Sequence, residues 1–460
     1  MIFLPLVTGL YYLLPHRFRW ILIFLASCYF YMALIPKYIL ILFFIILVDY
    51  IAAITIEQTT GWLKTFYLVF SIVSNLGLLC FFKYYNFFDA NLEAVFRHLH
   101  LPYEKKVLDL ILPVGLSFHT FQSMSYTIEV YRGNQRAEKH LGYFANYVLF
   151  FPQMVAGPIE RYQTLGNELK KNIGPLYDNF ANGFRLILFG LFVKMAVADN
   201  IAPVVNQVYE NPQQFNSVSI LSAILLFSFQ IYADFYGYST IACGCARLLG
   251  INIMDNFKTP YLSRSISEFW QRWHISLSTW FRDYVYIPAG GNKVNAARFI
   301  FNILLVFTIS GFWHGANWTF VCWGFLHGFF YLLEKGFQRV FNFKINGSNT
   351  LINGLLTLKT FLLVSFIWVF FRAENFAKAK QIFSSLLHNF SVTETIPNYG
   401  FAWIFAVLLL FSDGILYNSR IDFRLEKQSP LVRWAVYSLL LFGLMAMSGV
   451  EQYPFIYFQF

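Results

Sequence analysis

The sequence predicts an all-α, polytopic membrane protein, and three observations carry that prediction. Of its 460 residues, 57% are hydrophobic and only 13% charged, whereas a water-soluble domain draws about a quarter of its residues from Asp, Glu, Lys and Arg. Most of the surface therefore faces something other than water, which excludes a soluble enzyme, a disordered chain, a collagen and a coiled coil. The 55 Phe and 29 Tyr raise the aromatic share to 21%. Runs without Asp, Glu, Lys or Arg recur over 20–36, 65–82, 110–128, 140–159, 211–233, 299–333, 395–412 and 434–450. A helix needs about 20 predominantly apolar residues to cross a core about 30 Å thick.

Taken in order, the elements begin with Met1 to Leu14, which lacks a basic n-region and an Ala-x-Ala cleavage site and reads as part of a first span, not a signal peptide. The charge-free runs follow, joined by less clean apolar stretches near 38–56, 180–208 and 351–371. Together they predict about eleven membrane helices in a single membrane domain over 1–460, with no soluble domain. The excess of 34 basic over 24 acidic residues, a net charge of +10, is read as a determinant of orientation, with membrane lipid rather than nucleic acid as the partner. Cys28, Cys80, Cys243, Cys245 and Cys322 lie in apolar stretches, where a thiol behaves as a small hydrophobe, so neither a disulfide framework nor a metal site is expected.

Several segments depart from plain spans. Phe150 to Ile159 holds Pro152, Gly157 and Pro158 inside an apolar run. Broken backbone at membrane depth is tolerated only where protein or a wet cavity satisfies it, which favours a re-entrant segment over a lipid-facing helix; a loop capping an ordinary span is the other reading. Residues 255–298 carry Lys258, Arg264, Arg272, Arg282, Lys293 and Arg298 against Asp255, Glu268 and Asp283, a cytoplasmic loop by the positive-inside rule. Within it, Phe269, Trp270, Trp273, Leu277, Trp280, Phe281 and Tyr284 recur at helical spacing, predicting an interfacial amphipathic helix with its indoles at headgroup depth. The basic loop Lys335 to Lys344 is read as cytoplasmic too.

If both loops share a side, residues 299–333 go in and come back in legs of roughly 16 residues, about 24 Å each at 1.5 Å per residue. The turn falls near Ser310 to Trp318 and places His314 between Gly311 and Gly315, which would allow close approach of substrate or backbone. An intramembrane ionisable group is by default a functional hypothesis. A buried, neutral imidazole can accept a proton from an attacking hydroxyl; a core histidine bonded to a backbone carbonyl is the bland alternative. His327, 13 residues further on, reads as structural. His274 either marks the cytoplasmic end of a path that His314 begins or belongs to the polar face of the amphipathic helix. Asp234 reads as a buried partner of a hydroxyl or an Arg. The Gly290-Gly291-Asn292-Lys293 turn, with Arg272, is a weak candidate for holding a donor phosphate, and a plain turn is the simpler reading.

Five blocks then carry a resemblance: Leu112-Pro-Val-Gly-Leu-Ser-Phe118 with Thr120-Phe-Gln122, Phe151-Pro-Gln-Met-Val-Ala-Gly-Pro158, Phe269-Trp-Gln-Arg-Trp-His-Ile-Ser-Leu-Ser278, Tyr286-Ile-Pro-Ala-Gly-Gly-Asn292 and Gly311-Phe-Trp-His-Gly-Ala-Asn-Trp318. Spread over about residues 80–330, and joined by Phe455 to Phe460, they resemble the membrane-bound O-acyltransferase family, in its alginate O-acetyltransferase-like branch. The resemblance implies a ring of helices around a central tunnel, a donor entrance facing the cytoplasm, and catalytic roles for His314 and, less uniformly, His274. It implies no bound cofactor, acetyl-CoA as donor substrate, and an extracytoplasmic polysaccharide or partner-protein serine as acceptor, in the bacterial cytoplasmic (inner) membrane. Two departures stand out. Asp234-Phe-Tyr-Gly-Tyr-Ser-Thr240 ends in Thr where the family has a second Asp, and His119 replaces the usual aromatic. A D-alanyl transferase acting on teichoic acids and, from another class, a polytopic transporter are the alternatives; few intramembrane charges and no repeat between halves speak against the transporter.

Overall fold

The computed structural model describes residues 2–33, 35–341, 349–391, 393–395, 399–448 and 453–456. Lys344 of the second basic loop and the last four residues of the Phe455 to Phe460 block lie outside them. All regular structure in the described residues is helical. Among the described residues, seven helices are long and apolar enough to cross a membrane: Pro36–Gln58, Gly61–His98, Tyr177–Glu210, Ser217–Leu248, Ala296–His314, Thr350–Arg372 and Pro430–Met447. Phe3–Leu13 and Tyr399–Ile415 are shorter apolar helices. The chain divides into two compact units, residues 1–183 with 245–254, and 184–244 with 255–460.

The first unit holds α1 (Phe3–Leu13), α2 (His16–Met32), α3 (Ile39–Gln58), α4 (Gly61–Leu79), α5 (Tyr85–His98), α6 (Leu116–Arg132), α7 (Leu141–Leu149) and the single turn α8 (Asn167–Leu169). A carboxylate left bare among apolar helices is costly, so one buried there must collect donors. Asp49 of α3, fully buried, does so: it accepts from Ser71 Oγ at 2.5 Å and Asn75 Nδ2 at 2.9 Å, both on α4, and from Ser123 Oγ on α6. The Pro- and Gly-containing segment after α7 is not a continuous helix. Phe150, Phe151, Met154 and Ile159 are buried, and protein groups satisfy its backbone: Phe151 N donates to Ser27 Oγ at 3.1 Å and Gly157 N to the Gln153 carbonyl at 2.9 Å. His119 is buried in α6 with Nδ1 2.8 Å from the Val148 carbonyl, a contact between α6 and the end of α7.

The rest of the chain forms α9 (Tyr177–Leu191), α10 (Asp199–Glu210), α11 (Ser217–Leu248), α12 (Ile266–Arg272), α13 (Ile275–Phe281), α14 (Ala296–His314), α15 (Trp318–Val340), α16 (Thr350–Arg372), α17 (Phe376–His388), α18 (Tyr399–Ile415), α19 (Ile421–Glu426) and α20 (Pro430–Met447). α14 and α15 are the hairpin expected over 299–333, but its legs are 19 and 23 residues long, about 28 and 34 Å. The charge-free run understated them: α14 starts two residues before Arg298, and α15 continues past Glu334, Lys335 and Arg339. The hairpin is therefore of ordinary length. Its helices meet at Gly311 and Gly324, where a Cβ on Gly311 would lie 2.2 Å from the Phe320 carbonyl oxygen and 3.1 Å from Gly324 Cα. Small residues at such a crossing let backbones approach, so Gly311 serves helix contact. Asn317 caps α15, accepting from Thr319 N at 3.1 Å and donating through Nδ2 to the Glu374 carbonyl at 2.5 Å.

The amphipathic segment also differs from expectation. It is two helices, α12 and α13, and its aromatic face is covered by the chain itself: Phe269, Trp273, Leu277, Trp280 and Phe281 are buried. Trp273 packs against Trp368 of α16 with ring centroids 5.1 Å apart. Ser265 caps α12 by accepting from Glu268 N at 3.0 Å, while Glu268 accepts from Arg264 N at 2.9 Å, a reciprocal cap close to the capping-box pattern. Glu334 on α15 accepts from Ile266 N at 2.7 Å, which ties the helix start to the hairpin.

Candidate active site

His274 occupies the break between α12 and α13. Its φ of 42° and ψ of 56° are left-handed, a conformation that costs a side-chain-bearing residue roughly 1–2 kcal/mol and persists only where the surroundings enforce it. Asn256 supplies much of that enforcement. Its carbonyl accepts from Ile275 N at 2.9 Å, and its Oδ1 accepts from Ser276 N at 3.3 Å and Ser276 Oγ at 2.7 Å. On the other side of the break, Trp273 N still donates to the Phe269 carbonyl at 2.8 Å. The turn thus directs the imidazole inward, where it is fully buried, and not onto a polar helix face. His274 lies outside the candidate spans, and burial pushes its imidazole down to about 3, so it is neutral at physiological pH.

His314 is the last residue of α14, 5% exposed. Its ring lies edge-on among Trp313, Trp323 and Phe371, at centroid separations of 5.0, 5.1 and 5.4 Å. The His274 and His314 rings are 6.5 Å apart. Set at two ends of a path by the sequence reading, they meet at one point instead, because the α12–α13 break turns one histidine toward the end of α14. Phe235 of α11 closes the far side of His274 at 4.7 Å. Trp323 lies between His314 and His327, with ring centroids 5.1 and 4.9 Å from them; Trp270 Nε1 donates to His327 Nδ1 at 3.3 Å, and His327 joins Trp270 to Trp323 and Trp368 in the aromatic packing.

A model of the membrane-bound O-acyltransferase family matches residues 135–371, a stretch that contains both histidines. The chain belongs to the membrane-bound O-acyltransferase family. It is 37% identical over 84% of its length to the probable alginate O-acetylase AlgI of Azotobacter vinelandii, covering 76% of that protein. It is 35% identical over 79% of its length to the peptidoglycan O-acetyltransferase of Helicobacter pylori, covering 72% of it. The teichoic acid D-alanyltransferase of Streptococcus thermophilus is 31% identical over 49% of this chain and 57% of its own length. This is therefore a multi-pass membrane O-acyltransferase, and the transporter alternative falls.

Within this O-acyltransferase the weak phosphate candidates do not converge. Gly290 and Gly291 have φ of 102° and 57° and form a tight turn whose amides are already used: Gly290 N donates to the Ile287 carbonyl at 3.0 Å and Gly291 N to the Tyr286 carbonyl at 2.9 Å. Lys293 is exposed beyond it. Arg272 is an anchor: it pairs with Glu268 at 3.0 Å and donates to the Lys258 carbonyl, Thr259 Oγ1, Asn418 Oδ1 and Tyr417 Oη at 2.9 to 3.3 Å. Asp234 pairs with Lys194 at 2.5 Å and accepts from Ile456 N at 2.7 Å, so its partner is a lysine and a backbone amide, not the Arg or hydroxyl expected. Lys194 had a legible signal, a cation alone in an apolar stretch. Asn256 had none, since one Asn in a polar loop is unremarkable until the fold places it behind His274.

Proposed function

We propose that the enzyme moves an acetyl group from a cytoplasmic thioester, acetyl-CoA, across the bacterial cytoplasmic membrane to a hydroxyl of an extracytoplasmic polysaccharide or of a serine on a partner protein. The observation that carries this reading is the juxtaposition of His314 and His274 inside a buried aromatic enclosure. Relatives named as O-acetylating enzymes cover 79 to 84% of the chain, against 49% for the D-alanyl transferase, which favours acetyl over alanyl.

In the reaction, His314 takes the proton of the acceptor hydroxyl as its oxygen attacks the thioester carbonyl. The tetrahedral intermediate collapses with cleavage of the carbon–sulfur bond, and the imidazolium returns its proton to the departing thiolate, so charge and protons balance. General base catalysis of this kind contributes about 10²–10⁴-fold. His274, held neutral beside it, orients the site. The surrounding indole and phenyl rings exclude water that would otherwise hydrolyse the thioester.

Replacing His314 with Ala should lower acetyl transfer in purified membranes by about 10²–10⁴-fold, while the protein still elutes as a monodisperse species from a detergent size-exclusion column. Transfer at the wild-type rate by that variant would rule the assignment out. Presenting acetyl-CoA and a D-alanyl carrier-protein thioester in parallel distinguishes the two donors.

A further inference from the structure

The tetrahedral intermediate of the proposed reaction carries a negative charge on the former carbonyl oxygen, and stabilising it is a task that proton transfer by His314 leaves open. In a site that excludes water, such a charge is met by hydrogen-bond donors fixed in place before it forms. A donor serving it must lie close to His314 and be left unused by the fold itself.

Trp323 meets both conditions. It is 1% exposed, and its ring stands edge-on to that of His314, with centroids 5.1 Å apart and planes at 85°. An indole Nε1 can only donate, and a buried one usually finds an acceptor. The neighbouring indoles do: Trp270 Nε1 donates to His327 Nδ1 at 3.3 Å, and Trp368 Nε1 to Tyr261 Oη at 3.2 Å. Trp323 Nε1 is buried with no acceptor among the described residues. His327, 4.9 Å away, offers none, because its Nδ1 already accepts from Trp270 and the neutral ring then carries its proton on Nε2.

Packing keeps the indole from turning to an acceptor elsewhere. It stacks on Trp368 at 5.4 Å with planes 26° apart, and Trp270 and Phe371 stand against it at 5.7 and 5.2 Å. An unpaired buried N–H costs about 1–3 kcal/mol, and Phe at this position would join the aromatic cluster without that cost. Local destabilisation of this kind persists where activity uses it.

We infer that Trp323 is a catalytic residue whose Nε1–H donates to the oxyanion of acyl transfer. This inference rests on the proposed attack on a thioester at His314. As the bond between acceptor oxygen and carbonyl carbon forms, the carbonyl π pair moves onto its oxygen, which accepts the Trp323 N–H, while His314 holds the acceptor's proton. As the carbon–sulfur bond breaks, that pair returns to the carbonyl, sulfur leaves with the bonding electrons, and His314 gives it the proton.

The test removes the N–H and keeps the ring. Benzothienylalanine, with sulfur in place of the indole N–H, is introduced in place of Trp323 by nonsense suppression in the full chain, and in place of the exposed Trp434 as control. Transfer from radiolabelled acetyl-CoA to the acceptors of the host membrane is measured for both proteins, with the unfolding midpoint in detergent. Replacement of Trp323 should lower kcat about 10²–10³-fold, leave KM for acetyl-CoA unchanged because the N–H acts only in the transition state, and keep or raise the midpoint. A kcat equal to the control's overturns the inference, as does a raised KM at unchanged kcat. A lower kcat with a lower midpoint overturns it too, since the N–H then serves structure. Failure of the proposed function reads differently: transfer from a D-alanyl carrier-protein thioester and not from acetyl-CoA, or full activity of His314→Ala, sinks that reading, while the Trp323 replacement is still scored on whichever thioester the enzyme uses.

Discussion

At the scale of single residues, the site depends on one imidazole held where an imidazole is uncomfortable. His274 is left-handed, fully buried and depressed to about 3 from an ordinary value of 6.5. In the unfolded chain it titrates near 6.5, so between the two values the unfolded state binds a proton that the folded state refuses. Folding stability from this residue is complete above the unfolded value and declines as pH falls below it. The thermal unfolding midpoint of detergent-solubilised protein should therefore drop on acidification from pH 7.5 to pH 5. His274→Gln, which carries no titrating group, should show a flatter profile over that range; parallel profiles for the two proteins would mean that the buried imidazole does not dominate it. The identity of His274 and His314 as candidates was legible, since histidines in sparsely charged surroundings stand out. The turn at His274 was not, because helical spacing of the aromatics continues straight through Trp273 and nothing in a Trp-His-Ile sequence marks a left-handed residue.

At the scale of elements, the hairpin shows what charge gaps measure and what they miss. They located α14 and α15 and the Gly315 to Asn317 turn, yet shortened both legs, because helices continue for several residues into charged flanks whose side chains reach water. His314 is thus secluded by packing, with α14, α15 and α16 each contributing a ring to its enclosure, and not by a hairpin too short to cross. That packing depends on the Gly311–Gly324 crossing. Gly311→Ala would put a Cβ 2.2 Å from a backbone carbonyl oxygen, forcing the helices apart; overpacking of this kind costs typically 1–3 kcal/mol. The expected result is a lower unfolding midpoint together with lost acetyl transfer. Gly336→Ala, on α15, the other helix of the hairpin, with open space around its Cβ, is the control and should leave both unchanged or raise stability slightly. A Gly311→Ala protein as stable as that control would show that the crossing tolerates separation.

At the scale of the whole molecule, the scarcity of charge makes each buried ion a structural commitment between distant parts of the sequence. Lys194, in a π-helical stretch between α9 and α10, contacts Asp199 at 2.7 Å, Asp234 at 2.5 Å and the Tyr453 carbonyl at 3.0 Å. Asp234 in turn holds the Ile456 amide, and Phe455 packs on Phe235, the ring that abuts His274. The sequence announced each charge as an exception but not their pairing, because 40 residues separate Lys194 from Asp234 and 222 separate Asp234 from Ile456. Lys194→Met removes the cation and leaves two buried carboxylates facing each other, a loss for which about 3–5 kcal/mol is typical. It should lower the unfolding midpoint and detach the 453–456 segment, read as new protease cleavage there. Lys194→Met/Asp234→Asn removes one of the stranded charges and should recover part of the stability; recovery identifies the electrostatic pairing, and not the lysine's bulk, as what holds the segment. No recovery, with the single variant as unstable as the double, would assign the role to the contact of the Lys194 ammonium with the Tyr238 ring, 5.5 Å from its centroid.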